Sequence, residues 1–142
     1  MSTKGKRVIF VGPADNANHK PINVEGKAVA ATTPGSIVSV SAAGLTKVTD
    51  ATGDFKGPFL VADKDQMRSL SVDTDWTIAE NMVAIQPRSG EFVNALVITA
   101  QAVVVGSPLA RSSTAGALKL ADTTGTCLLY TSPSPRDLST SR

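Results

Sequence analysis

The apolar residues of this chain fall in short runs that end at glycine, proline or other turn-forming residues. The runs "SIVSVS" (36–41), "GPFLVAD" (57–63) and "NMVAIQP" (81–87) are typical. Helical spacing of apolar residues is nearly absent, whereas short bounded runs are characteristic of strands. The sequence therefore predicts an all-β fold, a small β-sandwich or barrel of short antiparallel strands with at most one or two short helices.

The composition agrees with this fold class, because small and β-branched residues dominate and aromatic residues make up only 4% of the chain. Further strands are expected where other short apolar runs occur, at 7–11, 27–31, 45–50, 91–99, 101–106 and 117–122. Any helical turn is expected near 64–70, in the longest polar connection. A chain of 142 residues with these features predicts one small domain.

A tight turn is predicted at Arg88-Ser89-Gly90, between two apolar runs. A turn of this composition between strand-like segments is a hairpin signal. We therefore expect 81–87 and 91–99 to pair as a β-hairpin.

A weak internal repeat relates residues 34–53 to residues 105–125. Each copy contains a strand-like run, a glycine (Gly44 or Gly116) and a second run that ends at an aspartate. The repeated unit is expected to be a hairpin in which the glycine supplies the turn.

The last sixteen residues, 127–142, differ from the rest and contain the only cysteine and the only tyrosine. Their sequence, "CLLYTSPSPRDLSTSR", resembles one translated reading frame of a transposase-type sequencing adapter, including its barcode and the fixed bases beyond it. We therefore expect a non-native tail without a consistent core at 127–142 and a β-rich native domain at 1–126 whose own C-terminus is truncated. Such a segment is excluded from inferences about the fold.

Charge gives no indication of a nucleic-acid or membrane partner, because the formal net charge is only +2. A short basic arm, Lys4, Lys6 and Arg7, lies near the N-terminus. It is either a solvated chain end or a segment that docks on an acidic partner surface.

The apolar runs of the sequence are much shorter than the roughly 20 residues that a helix needs to span a bilayer, so no membrane-spanning helix is expected.

The residues that most enzymes use for nucleophilic or acid–base chemistry are scarce. His19 is the only histidine, and no G-x-S-x-G motif occurs. Without the adapter-like tail the chain also has no cysteine, so thiol chemistry is not expected in the native part. The sequence therefore predicts no catalytic residue, no cofactor and no enzymatic activity.

The polar connection 63–80 is the segment most suited to function, since long loops in compact domains are often functional. Its aspartates, Asp63, Asp65, Asp73 and Asp75, are either solvated loop acids or oxygen ligands for a hard cation, although EF-hand spacing is absent.

Two residues are candidate contacts with a partner. Trp76, the sole tryptophan, either anchors the 63–80 loop on the core or serves as an interface contact. Arg88 is a solvated turn residue or a second contact.

Several stretches make the chain similar to the cement, or head decoration, proteins of tailed bacteriophages. They are "TPGSIV" (33–38), "FLVADKD" (59–65), "SVDTDWT" (71–77) and "ENMVAIQPRSGEFVNALV" (80–97). The resemblance implies a compact β-rich protein that binds the outside of the assembled shell and stabilises it against the pressure of packaged DNA. It implies the phage major capsid protein as partner, a possible homo-oligomer (a trimer or dimer) on the capsid, and no catalytic residues.

That resemblance also implies a location on the virion exterior after synthesis in the cytoplasm of the bacterial host. Low net charge and many small residues suit a module whose modest contacts are repeated by the symmetry of a shell. Two alternatives remain open. One is another virion β-module of a tail or fibre, and the other is a small hydrolase or carbohydrate-active domain built on Asp63, Asp65, Asp73, Asp75 and Glu80.

Overall fold

A computed structural model describes residues 8–12, 21–50 and 57–121. Within these ranges the chain forms seven strands and no helix. The strands are β1 (Ile22–Lys27), β2 (Ile37–Ser41), β3 (Gly44–Lys47), β4 (Leu60–Ala62), β5 (Asn81–Gln86), β6 (Leu109–Arg111) and β7 (Leu118–Leu120). The predicted all-β class is therefore confirmed, and the described part contains no helix of a length and hydropathy that could cross a membrane.

Five of the strands form one antiparallel sheet in the order β1-β5-β4-β2-β3. The register is fixed by pairs such as Val24 with Ala84 and Val61 with Ile85. The short central strand β4 is buried on both sides, which explains its wholly apolar sequence, Leu-Val-Ala.

The two faces of this sheet carry separate apolar clusters, because successive side chains of a strand point to opposite faces. Leu60 and Ala62 join Val38, Met82 and Trp76 on one face. Val61, between them in sequence, packs on the other face with Ile37, Ile85, Ile9 and Leu118.

The sheet curls until its two edge strands meet. Ala28, directly after β1, forms a bridge with Leu45 of β3, and the N–H of Val29 donates to the carbonyl of Leu45 at 3.1 Å. Gly44 makes this approach possible, since its φ is +134° and a Cβ at this position would lie 2.2 Å from the Lys27 carbonyl oxygen. Within the described residues the sheet is therefore closer to a partly closed barrel than to a flat layer.

Strands β6 and β7 form a small hairpin beside the second face of the sheet. Gly116, at φ +80°, lies between them and accepts a hydrogen bond from the N–H of Ile37 at 2.8 Å. Both copies of the internal repeat thus contain a hairpin with a positive-φ glycine, as the sequence predicts. Asp122 of the second copy lies outside the described residues, as do 127–142.

The predicted hairpin of 81–87 with 91–99 is wrong, although the turn itself is present. The N–H of Glu91 donates to the Arg88 carbonyl at 3.0 Å, and Gly90 has φ +88°. Strand β5, however, pairs with β1 and β4 on its two edges. Both edges of β5 are therefore occupied, and the chain after Gly90 pairs elsewhere.

Residues 91–99 instead run between several neighbours without forming a regular strand. Val93 bridges to Phe10, the N–H of Leu96 donates to the carbonyl of Gly35, and Ile98 hydrogen-bonds to Leu118 of β7. Of the strand expected at 7–11, the described residues 8–11 form only the single bridge at Phe10, and the strand expected at 101–106 is an exposed turn. The strand expected at 27–31 lies earlier in the chain, since β1 ends at Lys27 and Ala28 forms only a bridge, and β6 occupies a position where no strand was predicted.

Candidate functional site

The connection between β4 and β5, residues 63–80, begins with a compact turn. Asp65 Oδ1 accepts the backbone N–H of Arg68 at 2.8 Å, and the Asp65 carbonyl accepts the N–H of Leu70 at 2.9 Å. Ser69 has a positive φ of 54° within this turn. The helical content considered possible at 64–70 is thus a tight turn capped by an aspartate, a role that short carboxylate side chains perform well.

Trp76 fixes the middle of the same connection to the core. Its side chain is 4% exposed, and its indole Nε1–H donates to the carbonyl oxygen of Asp63 at 2.7 Å. Its backbone exchanges two hydrogen bonds with Thr32, at 2.9 and 3.0 Å. The loop-anchor interpretation of Trp76 fits this position. A side chain so deeply buried offers no surface to a partner, so the interpretation of the indole as an exposed contact is not supported.

Arg68 ties the turn to the end of the connection. Its guanidinium pairs with Asp65 through Nε and with Glu80 Oε1 through Nη1, the latter at 2.9 Å, and lies 5.9 Å from the centre of the Trp76 ring. Glu80 Oε2 also accepts the N–H of Thr77 at 2.7 Å. One cation therefore joins two carboxylates that are 15 positions apart in the chain and covers the tryptophan.

These hydrogen bonds shift each pKa in the direction that favours the charged form of the side chain. The guanidinium of Arg68, followed by the backbone N–H of Thr77, lowers the pKa of Glu80 to about 2. The backbone N–H and then the side chain of Arg68 lower the pKa of Asp65, and the two carboxylates raise the pKa of Arg68. Each partner is stabilised in its charged form, so the network is fully ionised near neutral pH.

A groove of about 500 Å³ lies over this network. It is lined by Asn23, Glu25, Asp63, Lys64, Asp65, Gln66, Met67, Arg68, Trp76, Glu80, Asn81 and Val83. Three of its acidic groups, Asp63, Asp65 and Glu80, are already hydrogen-bonded within the chain. Asp63, for example, accepts the N–H of Lys64 at 2.8 Å and the side-chain amide of Gln66 at 2.5 Å.

The aspartates of the connection do not behave as one set. Asp63 and Asp65 are buried and hydrogen-bonded, so their interpretation as solvated loop acids is wrong, whereas Asp73 and Asp75 are exposed. Within residues 8–12, 21–50 and 57–121, no group of three or more His, Cys, Asp or Glu side chains is placed to hold a metal ion. The hydrogen bonds of Asp63 and Asp65 hold the shape of the loop instead.

Two apolar side chains of this connection are exposed, and the sequence analysis did not identify them. Met67, at the tip of the turn, is 98% exposed, and Ile78 is 68% exposed. The pattern "DKDQM" carries a usable signal, since an aspartate that caps a turn leaves the residue two positions later at its tip. The connection thus presents Met67 and Ile78 on a frame held by Arg68 and Trp76.

Arg88, the other candidate contact that the structure describes, lies apart from this network. Arg88 is exposed in its turn, where its N–H donates to Glu91 Oε2 at 2.7 Å. Lys4, Lys6 and Arg7 lie outside the described residues, as does His19. Of the predicted contact residues that the structure describes, Trp76 and Arg88 do not share a site.

A second groove, of about 420 Å³, lies on another part of the surface. It is lined by Val8, Ile9, Thr33, Pro34, Gly35, Val72, Asp73, Asn94, Ala95 and Leu96. Most of these side chains are apolar, and the only charged one is Asp73.

No protein-family model and no curated protein matches this chain.

Proposed function

We propose that this chain is a non-enzymatic structural component of a phage virion that binds the assembled capsid shell and stabilises it. The proposal starts from the resemblance to cement proteins carried by 33–38, 59–65, 71–77 and 80–97. Its partner is the phage major capsid protein, and its location is the virion exterior after synthesis in the host cytoplasm.

The observation that carries the proposal is the bracing of the 63–80 connection around Arg68. Two carboxylates, one guanidinium and the buried Trp76 hold the turn in one conformation, and Met67 projects from its tip. A loop that is already ordered loses little conformational entropy on binding. An exposed methionine supplies an apolar contact that adapts to an irregular surface. Such a loop suits a docking contact.

The same geometry disfavours the carbohydrate-active or hydrolase alternative. A glycosidase needs a carboxylic acid whose raised pKa lets it donate a proton near neutral pH. The pKa values of Asp65 and Glu80 are lowered instead, and both side chains are held by Arg68. These carboxylates support the structure of the loop and are poorly suited to proton transfer.

Stabilisation of a shell follows from many copies of a modest contact. Each capsid presents the same binding position many times, and a protein that spans two neighbouring subunits gains from the high effective concentration of the second contact. A small domain with a rigid contact loop can therefore reinforce a shell without a large interface of its own.

The experiment is co-sedimentation of the full chain with expanded capsids from the same genome. The wild-type chain should pellet with the capsids, and the amount bound should reach saturation. Failure to pellet would exclude the capsid proposal. Met67→Asp, at a fully exposed tip, should weaken binding at least tenfold, because it places a charge in an apolar contact. Val40→Asp is the matched control, since Val40 is an exposed valine of β2 outside both grooves.

The outcomes separate the site from the function. Normal binding of a stable Met67→Asp variant would remove the loop as the contact and leave the capsid proposal in place. Rings or tubes that form without capsids, seen by negative-stain microscopy, would favour the tail or fibre module instead.

A further inference from the structure

Strand β1 has one edge that no strand in the described part of the chain covers. Its other edge pairs with β5, and the N–H of Ala28 continues that ladder by donating to the Glu80 carbonyl at 2.8 Å. Because every second residue of an antiparallel strand bonds to the same neighbour, residues 22, 24, 26 and 28 are the ones that bond to β5. The backbone N–H and C=O groups of Asn23 and Glu25 therefore point away from β5, and both residues are exposed.

Strand β3 leaves this part of the edge open. The bridge between Ala28 and Leu45 is parallel, so the two chains advance in the same direction at that point. From Leu45, β3 therefore continues beyond Ala28 and away from Asn23. Asn23 and Glu25 thus present two N–H donors and two C=O acceptors, an arrangement that an extended peptide completes when it adds a strand to a sheet.

The side chains beside this open edge differ between the two faces of β1. Asn23 and Glu25 line the groove of about 500 Å³ over Arg68, which we name the acidic groove. Ile22 and Val24 point to the opposite face, where Val24 packs against the first apolar cluster and Ile22 is 36% exposed. An added strand would place every second side chain at the acidic groove and the side chain between them beside apolar residues.

The acidic groove carries a formal charge of −2. Its charged side chains are four carboxylates and two cations, Glu25, Asp63, Asp65, Glu80, Lys64 and Arg68. Arg68 pairs with Asp65 and Glu80. Within the described residues, the carboxylates of Glu25 and Asp63 form no salt bridge, and they lie on either side of Val83 across neighbouring strands. The uncompensated negative charge is therefore next to the open edge.

We propose that the open edge of β1 accepts an extended segment of a partner protein as an additional antiparallel strand. The segment carries lysine or arginine at the two positions that face Asn23 and Glu25, and an apolar residue between them that packs beside Ile22 and Val24. Main-chain hydrogen bonds supply affinity in this mode of recognition, and alternate side chains supply specificity.

Charge selects this occupant over a second copy of the same strand. Two β1 edges would bring two acidic grooves together, and like charges on neighbouring strands are destabilising. A basic segment instead meets Glu25, whose carboxylate has no cation beside it in the described part of the chain. The test needs no capsid, so its failure leaves the capsid proposal intact.

The first measurement is NMR of the isotope-labelled full chain during titration with the peptide acetyl-Thr-Lys-Val-Lys-Thr-amide, from about 10 µM to about 5 mM, a range suited to weak binding. Hydrogen exchange of the Asn23 and Glu25 amides should slow, because both N–H groups become bonded. The Val24 amide, already in the ladder with β5, should change little. The peptide acetyl-Thr-Glu-Val-Glu-Thr-amide should bind at least tenfold more weakly. Equal binding of the two peptides, or no binding of the lysine peptide, would overturn the proposal.

The second measurement separates strand pairing from attraction between charges. Methylation of both lysine amide nitrogens removes the donors that face β1 and should weaken binding at least tenfold. Methylation of the valine amide nitrogen, which points away from β1, is the matched control and should leave binding nearly unchanged. Peptides that respond alike to the two changes, or a larger loss from the valine change, would contradict an antiparallel added strand.

The third measurement exchanges charge on the protein. Glu25→Lys should reverse the preference, so that the glutamate peptide binds more tightly than the lysine peptide. Asp75→Lys is the matched control, since Asp75 is exposed outside the acidic groove, and it should keep the wild-type preference. Unchanged melting temperatures would show that both variants are folded. A folded Glu25→Lys variant that still prefers the lysine peptide would exclude the proposed contact.

The chain's own basic arm, Lys4, Lys6 and Arg7, is the competing occupant of the edge. The full chain with Lys4→Glu and Lys6→Glu should bind the lysine peptide with the wild-type dissociation constant. Tighter binding by this variant would mean that the arm already fills the edge, which contradicts a separate partner.

Discussion

Trp76 shows how a single residue can join the core and the loop that leaves it. Its ring lies in the first apolar cluster and its N–H satisfies the carbonyl of Asp63, so it ties the start of the turn that carries Arg68 to the core. Because large side chains in a packed core cannot be removed without a cavity, the contribution of Trp76 to stability should be large.

Substitution of Trp76 therefore tests its role as a core residue. Trp76→Ala should lower the free energy of unfolding by about 3–5 kcal/mol. Trp76→Phe keeps the ring but loses the N–H donor, and it should cost about 1–3 kcal/mol through the unpaired carbonyl. Chemical denaturation measures both. A nearly neutral Trp76→Ala would contradict the buried position of the indole.

The lowered pKa of Glu80 predicts that the chain loses stability in acid. Its pKa is about 2 in the folded chain against about 4.3 in an unfolded one, so folding favours the ionised form. The stabilisation is fully present above about pH 4.3 and is lost as the pH falls towards 2. Asp65, whose pKa is also lowered, acts in the same direction.

The measurement is the melting temperature as a function of pH for wild type and Glu80→Gln. Wild type should lose stability steeply below about pH 4.3, the ordinary pKa of a glutamate. Glu80→Gln should be less stable at pH 7 and should show a flatter decline. Glu25→Gln, at an exposed position of β1, is the control and should follow the wild-type curve. Parallel curves for wild type and Glu80→Gln would exclude the proposed role of the Arg68 pair.

At the scale of elements, the closing of the sheet depends on the turn between β2 and β3. Gly44 combines a positive φ with a backbone contact that leaves no room for a Cβ. Gly44→Ala should therefore destabilise the chain by about 3 kcal/mol or more, from backbone strain and from the clash with Lys27 together.

Gly57→Ala is the matched control for this substitution. Gly57 has no positive φ and no atom near the position of a Cβ, so the change should alter stability by less than about 0.5 kcal/mol. Thermal or chemical unfolding of the two variants measures the difference. Equal stabilities would mean that the contact between β1 and β3 contributes little.

At the scale of the whole molecule, the adapter-like tail provides a further test. Deletion of 127–142 should leave the melting temperature within about 1 °C of the full chain, because a translated adapter, which these residues resemble, is not expected to contribute to the core. A drop of several degrees would contradict the interpretation of these residues as a non-native tail. The measurement is differential scanning calorimetry of the two chains side by side.

The sequence by itself determined the fold class and the positions of several strands. The runs at 36–41, 45–50, 57–63, 81–87 and 117–122 each overlap an observed strand, because alternation and bounding glycines are local signals. The repeat likewise predicted hairpins at Gly44 and Gly116. Trp76 was identified as a loop anchor, one of two interpretations, from its place in a long polar connection.

Only the tertiary structure decided which strands are neighbours and which side chains meet. The run at 91–99 has a strand-like sequence, yet both edges of β5 are already taken by β1 and β4. The valines at 103–105 look like a strand but stay exposed, since no strand in the described part of the chain pairs with them. The pairing of Arg68 with Glu80 gave no local signal, because it depends on how the whole 63–80 connection returns to β5. Local chemistry sets the elements, whereas competition for a limited number of sheet edges sets their partners.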